Sequence, residues 1–90
     1  MPIDLERAWS AHERVALRPE PFGALAYHFD TRRLSFLKSR KLLEVVRSLG
    51  EHPSARDACT AAGISEQELP AYVRALDTLA DAQMIRERLA

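Results

Sequence analysis

The 90-residue chain has room for one small domain with a modest core, since 47% of its residues are hydrophobic. Its 13 basic residues balance 13 acidic ones, whereas a nucleic-acid domain usually carries a basic excess. The single cysteine, Cys59, excludes an internal disulfide and is expected as a small buried side chain. The charged N-terminal stretch lacks an apolar signal core and no apolar run approaches a membrane span, so a cytoplasmic location is expected.

Residues 1–14 carry an apolar stripe of Ile3, Leu5, Ala8 and Trp9 and are expected as a short helical or irregular arm. Trp9 is expected to anchor this arm to the domain body or to a second copy of the chain, which leaves a homo-oligomer open. Residues 15–38 hold three runs separated by Arg18–Gly23 and Asp30–Arg33, both rich in turn signals. They predict a three-stranded antiparallel meander over 15–18, 24–29 and 34–38. Leu25, Tyr27 and Phe29 alternate with Ala24, Ala26 and His28, the period of a half-buried strand. Placing Phe29 opposite Leu34 sets Tyr27 opposite Phe36 and collects the large apolar side chains on the face expected to be the core. His28 then points the other way, exposed or covered by the arm.

From Ser39 onward the pattern is helical. Ser39 is a good N-cap, Leu42, Leu43, Val46 and Leu49 recur at helical spacing, and Gly50 supplies a stop. Ser54 with Asp57 opens a second helix whose small face is Ala55, Ala58, Cys59 and Ala62, ended by Gly63. Ser65 with Glu68 forms a capping box, and Ile64 with Leu69 a hydrophobic staple. The third helix buries a stripe of Leu69, Val73, Leu76, Leu79 and Ala80. Pro70 either kinks this helix or marks where its regular part begins. Ile85–Ala90 is charged and expected to fray. The predicted fold class is α+β: winged-helix-like, with a three-stranded antiparallel meander followed by three helices. The domain occupies residues 15–86, after the 1–14 arm and before a frayed 87–90.

The second and third helices are arranged as a helix-turn-helix, so a winged-helix DNA-binding regulator is one reading. Over Ser65–Ala82, however, Glu66, Glu68, Asp77 and Asp81 face one base, Arg74, for a charge of −3. An acidic helix forfeits the phosphate contacts that supply most non-specific affinity. The basic residues gather instead in residues 32–41, at Arg32, Arg33, Lys38, Arg40 and Lys41, around the third strand. That strand is last in the meander and therefore an edge. Its cations either defend the edge against aggregation or accept an extended acidic peptide as a fourth strand. A scaffold or dimerisation module with a passive edge is a third reading. Of the alternate third-strand residues, Ser35 and Leu37 are expected to turn their N–H groups outward, because Phe36 is expected in the core. His12, His28 and His52 lack metal-ligand spacing, and Gly23, Gly50 and Gly63 form no phosphate loop. No metal, no cofactor and no catalytic constellation is expected.

The stretch PEPFGALAYHFDTRRLSFLKS, the Leu-Leu-Val-Val helix after it, and HPSARDACTAAGISEQELPAYVRAL resemble the mycofactocin-system precursor-peptide chaperone family over about residues 8–86. That family lies within the broader group of peptide-recognition elements similar to the pyrroloquinoline-quinone peptide chaperone. The resemblance implies a non-catalytic chaperone. It implies that the acidic leader of a ribosomally made precursor lies as an added antiparallel strand against the third strand. The chaperone then presents the precursor to the radical S-adenosylmethionine enzyme that modifies it. Carried over by position, Leu34, Ser35, Phe36, Leu37 and Lys38 contact the peptide strand. Tyr72, Leu76 and Leu79 wall the groove, and Arg32, Arg33 and Lys38 are the charge partners.

Overall fold

A computed structural model describes residues 3–88. Strand β1 (Trp9–Ala11) is followed by β2 (Val15–Glu20), β3 (Gly23–His28) and β4 (Leu34–Leu37). Helix α1 (Arg40–Ser48), a 3₁₀ turn at Leu49–Glu51, α2 (Ala55–Ala61), α3 (Leu69–Asp81) and β5 (Ile85–Glu87) complete the order. The predicted meander is present as an antiparallel sheet in the order β2-β3-β4, ahead of three helices, and a second sheet pairs β1 with β5. Among the described residues no helix is long and apolar enough to cross a membrane.

The helix boundaries follow the capping chemistry. The Ser39 hydroxyl accepts from the Leu42 amide at 3.0 Å, and Ser54 from Asp57 at 3.2 Å. Gly63 sits at φ +83 past the end of α2, where the Ile64 amide reaches back to the Cys59 carbonyl at 3.1 Å. Ser65 and Glu68 form both arms of the capping box, at 3.0 and 3.2 Å, but these close a separate turn. α3 begins after it, with Pro70 in its first turn, so the proline marks the start of the helix and not a kink. Cys59 is buried and its thiol is pushed up by burial, as a packing residue requires.

The sheet departs from expectation in register and in which face is buried. Tyr27 stands opposite Leu34 and Leu25 opposite Phe36, a shift of two residues from the predicted pairing. Phe29 therefore falls in the connecting loop. A two-residue shift preserves side-chain parity, so the large apolar residues still share a face, but that face is the outer one. Phe36 is 59% exposed, Leu34 52% and Phe29 51%, whereas Ala24, Ala26 and His28 are at 0–1%. The reason is the close approach of α1 to β3. Small side chains on β3 let Leu42, Val45 and Val46 of the helix pack in. At the start of β3, Gly23 (φ +151) passes so near the backbone that a Cβ would stand 2.1 Å from the Leu37 carbonyl oxygen.

His28, expected outside or under the arm, is buried, its ring 4.7 Å from that of His12 in the N-terminal stretch. Its Nδ1 accepts the amides of Asp30 and Thr31 at 3.2 and 3.3 Å, so the side chain fixes the β3–β4 loop. Its Nε2 has no hydrogen-bond partner.

The predicted arm is integrated into the body. Carbonyls of Arg7 and Leu5 accept the Ala55 and Arg56 amides at 3.0 and 2.9 Å, filling the orphan donors of the first turn of α2. Trp9 packs against the core and pairs with Glu87 in the β1–β5 ladder. The end expected to fray from Ile85 is thus a strand through Glu87, with Ile85 at 1% exposure and the Arg88 amide bonded to the Ala8 carbonyl at 2.8 Å. Its last two residues, 89 and 90, lie outside the described part.

Candidate functional site: the open edge of β4 and its groove

Among the described residues, β4 pairs on one side with β3 and on the other with no strand. Its outward hydrogen-bonding groups follow from the ladder. The His28 amide donates to the Arg33 carbonyl at 3.0 Å, so His28 and Arg33 are a hydrogen-bonded pair. In an antiparallel ladder such pairs alternate with non-bonded ones. Ala26 with Ser35 and Ala24 with Leu37 are then bonded pairs, and Tyr27 with Leu34 and Leu25 with Phe36 are not. The Leu37 carbonyl oxygen, aimed at Gly23, agrees with this assignment. Ser35 and Leu37 therefore spend their backbone groups on β3, while Leu34 and Phe36 present theirs to the open side. This reverses the expected polarity, which rested on Phe36 being a core ring; the ring is exposed.

Beside this edge runs a groove between β4 and α3. One part, of about 370 Å³, is lined by Ser35, Phe36, Lys38, Leu42, Ala75, Thr78 and Leu79. It continues into a part of about 160 Å³ against Lys38, Ser39, Leu42, Ala71, Tyr72 and Ala75. Tyr72 is held by a hydrogen bond of 3.2 Å between its hydroxyl and that of Ser39, tying α3 to the β4–α1 junction. Of the predicted wall, Tyr72 and Leu79 line the groove. Leu76 is at 0% exposure in the core and lines neither part. Leu37 likewise is fully buried beneath the strand. Leu42, Ala71, Ala75 and Thr78 went unrecognised in the sequence. A signal existed for two of them. Ala71, Ala75 and Leu79 recur at a spacing of four, the ridge of one helix face, and two alanines on a ridge leave room for a neighbour.

The basic cluster is divided by the fold. Arg32 and Arg33 sit at the tip of the β3–β4 loop, and Lys38 and Arg40 at the other end of β4. Among the described residues, none of these four has a carboxylate within 4.0 Å. Lys41 is diverted to Glu68 at 3.3 Å, and the ammonium joins the Ser65 amide in holding that carboxylate below the usual range. Arg32 has φ +62, the left-handed region where glycine or asparagine is the cheaper choice. A chain that keeps arginine there retains its charge against a backbone cost.

The arrangement sets the outward main-chain donors and acceptors of Leu34 and Phe36 beside an apolar groove. Among the described residues no three His, Cys, Asp or Glu side chains are grouped to hold a metal ion.

Residues 8–86 match the model of a family described as the peptide chaperone MftB family. A protein named peptide chaperone MftB from Mycobacterium ulcerans is 56% identical over 83 residues, covering 92% of this chain and 76% of that protein. Its namesake from Mycolicibacterium smegmatis is 51% identical, covering 92% of this chain and 81% of its own. That from Mycobacterium tuberculosis is 49% identical, covering 96% and 79%. No solved structure matches the chain. The family match over nearly the whole length, and these identities at high coverage of both partners, mean that the chain belongs to the peptide chaperone MftB family.

Proposed function

We propose that this chain is a non-catalytic peptide chaperone of mycofactocin biosynthesis. It binds the acidic leader of a ribosomally made precursor as a fourth antiparallel strand on β4 and presents the precursor to the radical S-adenosylmethionine enzyme that modifies it. The observation that carries this reading is the unpaired edge of β4 lying directly beside an apolar groove, with uncompensated cations at both ends. An added strand bonds to the outward N–H and C=O groups of Leu34 and Phe36. Its side chains alternate: one set enters the groove over Leu42, Ala75 and Leu79, and the other lies beside Leu34 and Phe36. Arg32 and Arg33 at one end, and Lys38 and Arg40 at the other, attract acidic residues and set the register. The relatives' name, peptide chaperone, supports the same role.

The test is titration of isotope-labelled protein with the synthetic precursor peptide, following backbone amides. Shifts are expected along residues 34–38 and on the 71–79 face of α3, with new exchange protection at the Leu34 and Phe36 amides. Saturable binding with shifts elsewhere and no protection on β4 would reject strand addition. The chaperone role has its own test: modification of the precursor by the purified enzyme should require this protein for full rate.

A further inference from the structure

Among the described residues nothing covers the outer face of the β2-β3-β4 sheet, because α1 packs on the opposite face; its β3 and β4 rows are apolar, while its β2 row carries Ala16 and Arg18. All three phenylalanines of the chain, Phe22, Phe29 and Phe36, lie on it or at its margin, with Tyr27 and Leu34, each 37–59% exposed. They form a continuous surface. The Phe22 and Phe36 rings are 6.1 Å apart, and Tyr27 meets Phe29 edge-on at 5.5 Å. Isolated exposed apolar residues need no explanation, but a concentrated aromatic patch marks an interaction surface. Aromatic side chains are also the usual anchors of such surfaces.

The charges around the patch say what fits it. Residues 15–40 contain five cations and two carboxylates, a net +3. Both carboxylates are already engaged, Glu20 with Arg18 at 2.8 Å and Asp30 with Arg14 at 3.0 Å. Arg32, Arg33, Lys38 and Arg40 remain free at the two ends of β4. The same face of a second copy offers them no free carboxylate. Stacked β4 over β4 with the strands antiparallel, it would set Arg32 and Arg33 against Lys38 and Arg40, and stacked β4 over β2 it meets acids that are already paired. A single extended peptide is also too narrow. The large apolar side chains span β3, β4 and the turns at Phe22 and Phe29, and a peptide on the β4 edge reaches only the Leu34–Phe36 row.

We infer that this face docks a folded protein whose contact surface is apolar and rimmed by aspartate and glutamate. On the function proposed above, on which this identification rests, that partner is the enzyme that modifies the bound peptide. The placement has a consequence for presentation. A peptide added to β4 continues the same sheet, so its outward side chains border the docked partner.

The probe is the purified radical S-adenosylmethionine enzyme, titrated with wild-type protein and with a Tyr27→Asp/Phe29→Asp double variant, and separately with Phe22→Asp at the opposite end of the face. The precursor peptide is titrated in parallel. None of the three residues lines the groove, so peptide affinity reports both folding and the neighbouring site. The double variant is expected to weaken enzyme binding at least about tenfold, the scale of losing two aromatic anchors, with peptide affinity unchanged. If it loses the peptide as well, Phe22→Asp decides in its place. Wild-type enzyme affinity in a variant that still binds peptide overturns the inference, as does a wild-type protein that does not bind the enzyme at all. So does a wild-type dimer, or wild-type adhesion to phosphatidylglycerol vesicles, that the double variant abolishes, since the occupant is then a second copy or a membrane. A wild-type protein that binds the enzyme but no precursor rejects the function proposed above and leaves this surface standing.

Discussion

Proline scanning of β4 separates its two sides, because a proline removes the backbone donor at its position, while the ring carbon it puts on that nitrogen and the φ restriction are common to both sites. At Ser35 the donor lies in the ladder to Ala26, which is 1% exposed. Ser35→Pro leaves the Ala26 carbonyl buried without its partner, a cost of about 1–3 kcal/mol. For a domain of this size each kcal/mol lowers the melting temperature by roughly 4–8 °C. The loss is a large share of a total stability on the order of 5–13 kcal/mol for a chain of this length. At Phe36 the donor faces the open side and the ring is exposed, so Phe36→Pro should melt within a few degrees of Phe36→Ala. It should bind the precursor less well than Phe36→Ala, because one main-chain bond is missing. A bond worth about 0.5–1.5 kcal/mol corresponds to roughly 2- to 12-fold in affinity. Thermal melts by circular dichroism and peptide titration by calorimetry read both quantities. Phe36→Pro melting lower than Ser35→Pro would refute the ladder assignment. Phe36→Pro binding as tightly as Phe36→Ala would refute a peptide strand on this edge.

Other perturbations have directions fixed by the structure. Gly23→Ala combines a φ of +151 with a Cβ 2.1 Å from a carbonyl oxygen; it should cost more than about 1 kcal/mol, visible as a lowered melting temperature. Arg32→Gly relieves the left-handed backbone while removing a free cation. Its melting temperature should hold or rise, while precursor affinity falls and becomes less sensitive to salt. Glu68 is held below the usual carboxylate range, first by the Ser65 amide and then by Lys41. A depressed carboxylate contributes stability above its unfolded value and loses it as the pH falls through the folded one. The wild-type melting temperature should therefore drop more steeply than that of Glu68→Gln as the pH goes below the ordinary glutamate value of about 4.3.

The helices were legible in the sequence because their ends are local chemistry. Ser39, Ser54 and Gly63 act within three or four residues of themselves, and the hydrogen bonds found at each are those the residue types imply. The two terminal strands were not legible. β1 and β5 are three residues each and pair across the whole chain, Trp9 with Glu87 and Ala11 with Ile85. Short segments carry too little periodicity to announce a strand, and their pairing depends on contacts that no window of sequence contains. The groove was half legible. Tyr72 and Leu79 stood out as large residues on α3, whereas Ala75 matters by being small, and absence of bulk has meaning only beside the strand that uses the space.

Which face of the sheet is buried was misread for a physical reason that bears on function. Alternation of large and small side chains identifies two faces but does not say which one the helices cover. The assumption that the larger side chains go inward holds for a sheet whose only contacts are intramolecular. Here the helix layer approaches β3 closely enough to require Ala24 and Ala26, and the bulk of Tyr27, Phe29, Leu34 and Phe36 is left outside. The same inversion turns the backbone groups of Leu34 and Phe36 toward the open edge, on residues whose side chains are exposed. Had the sheet faced the other way at this register, the edge groups would belong to buried residues, and a proline test could not separate edge from core. The inward small face and the outward large one are therefore one choice made by packing. It leaves the β4 edge unpaired among the described residues and the surface beside it exposed, as the proposed peptide strand and docked partner require.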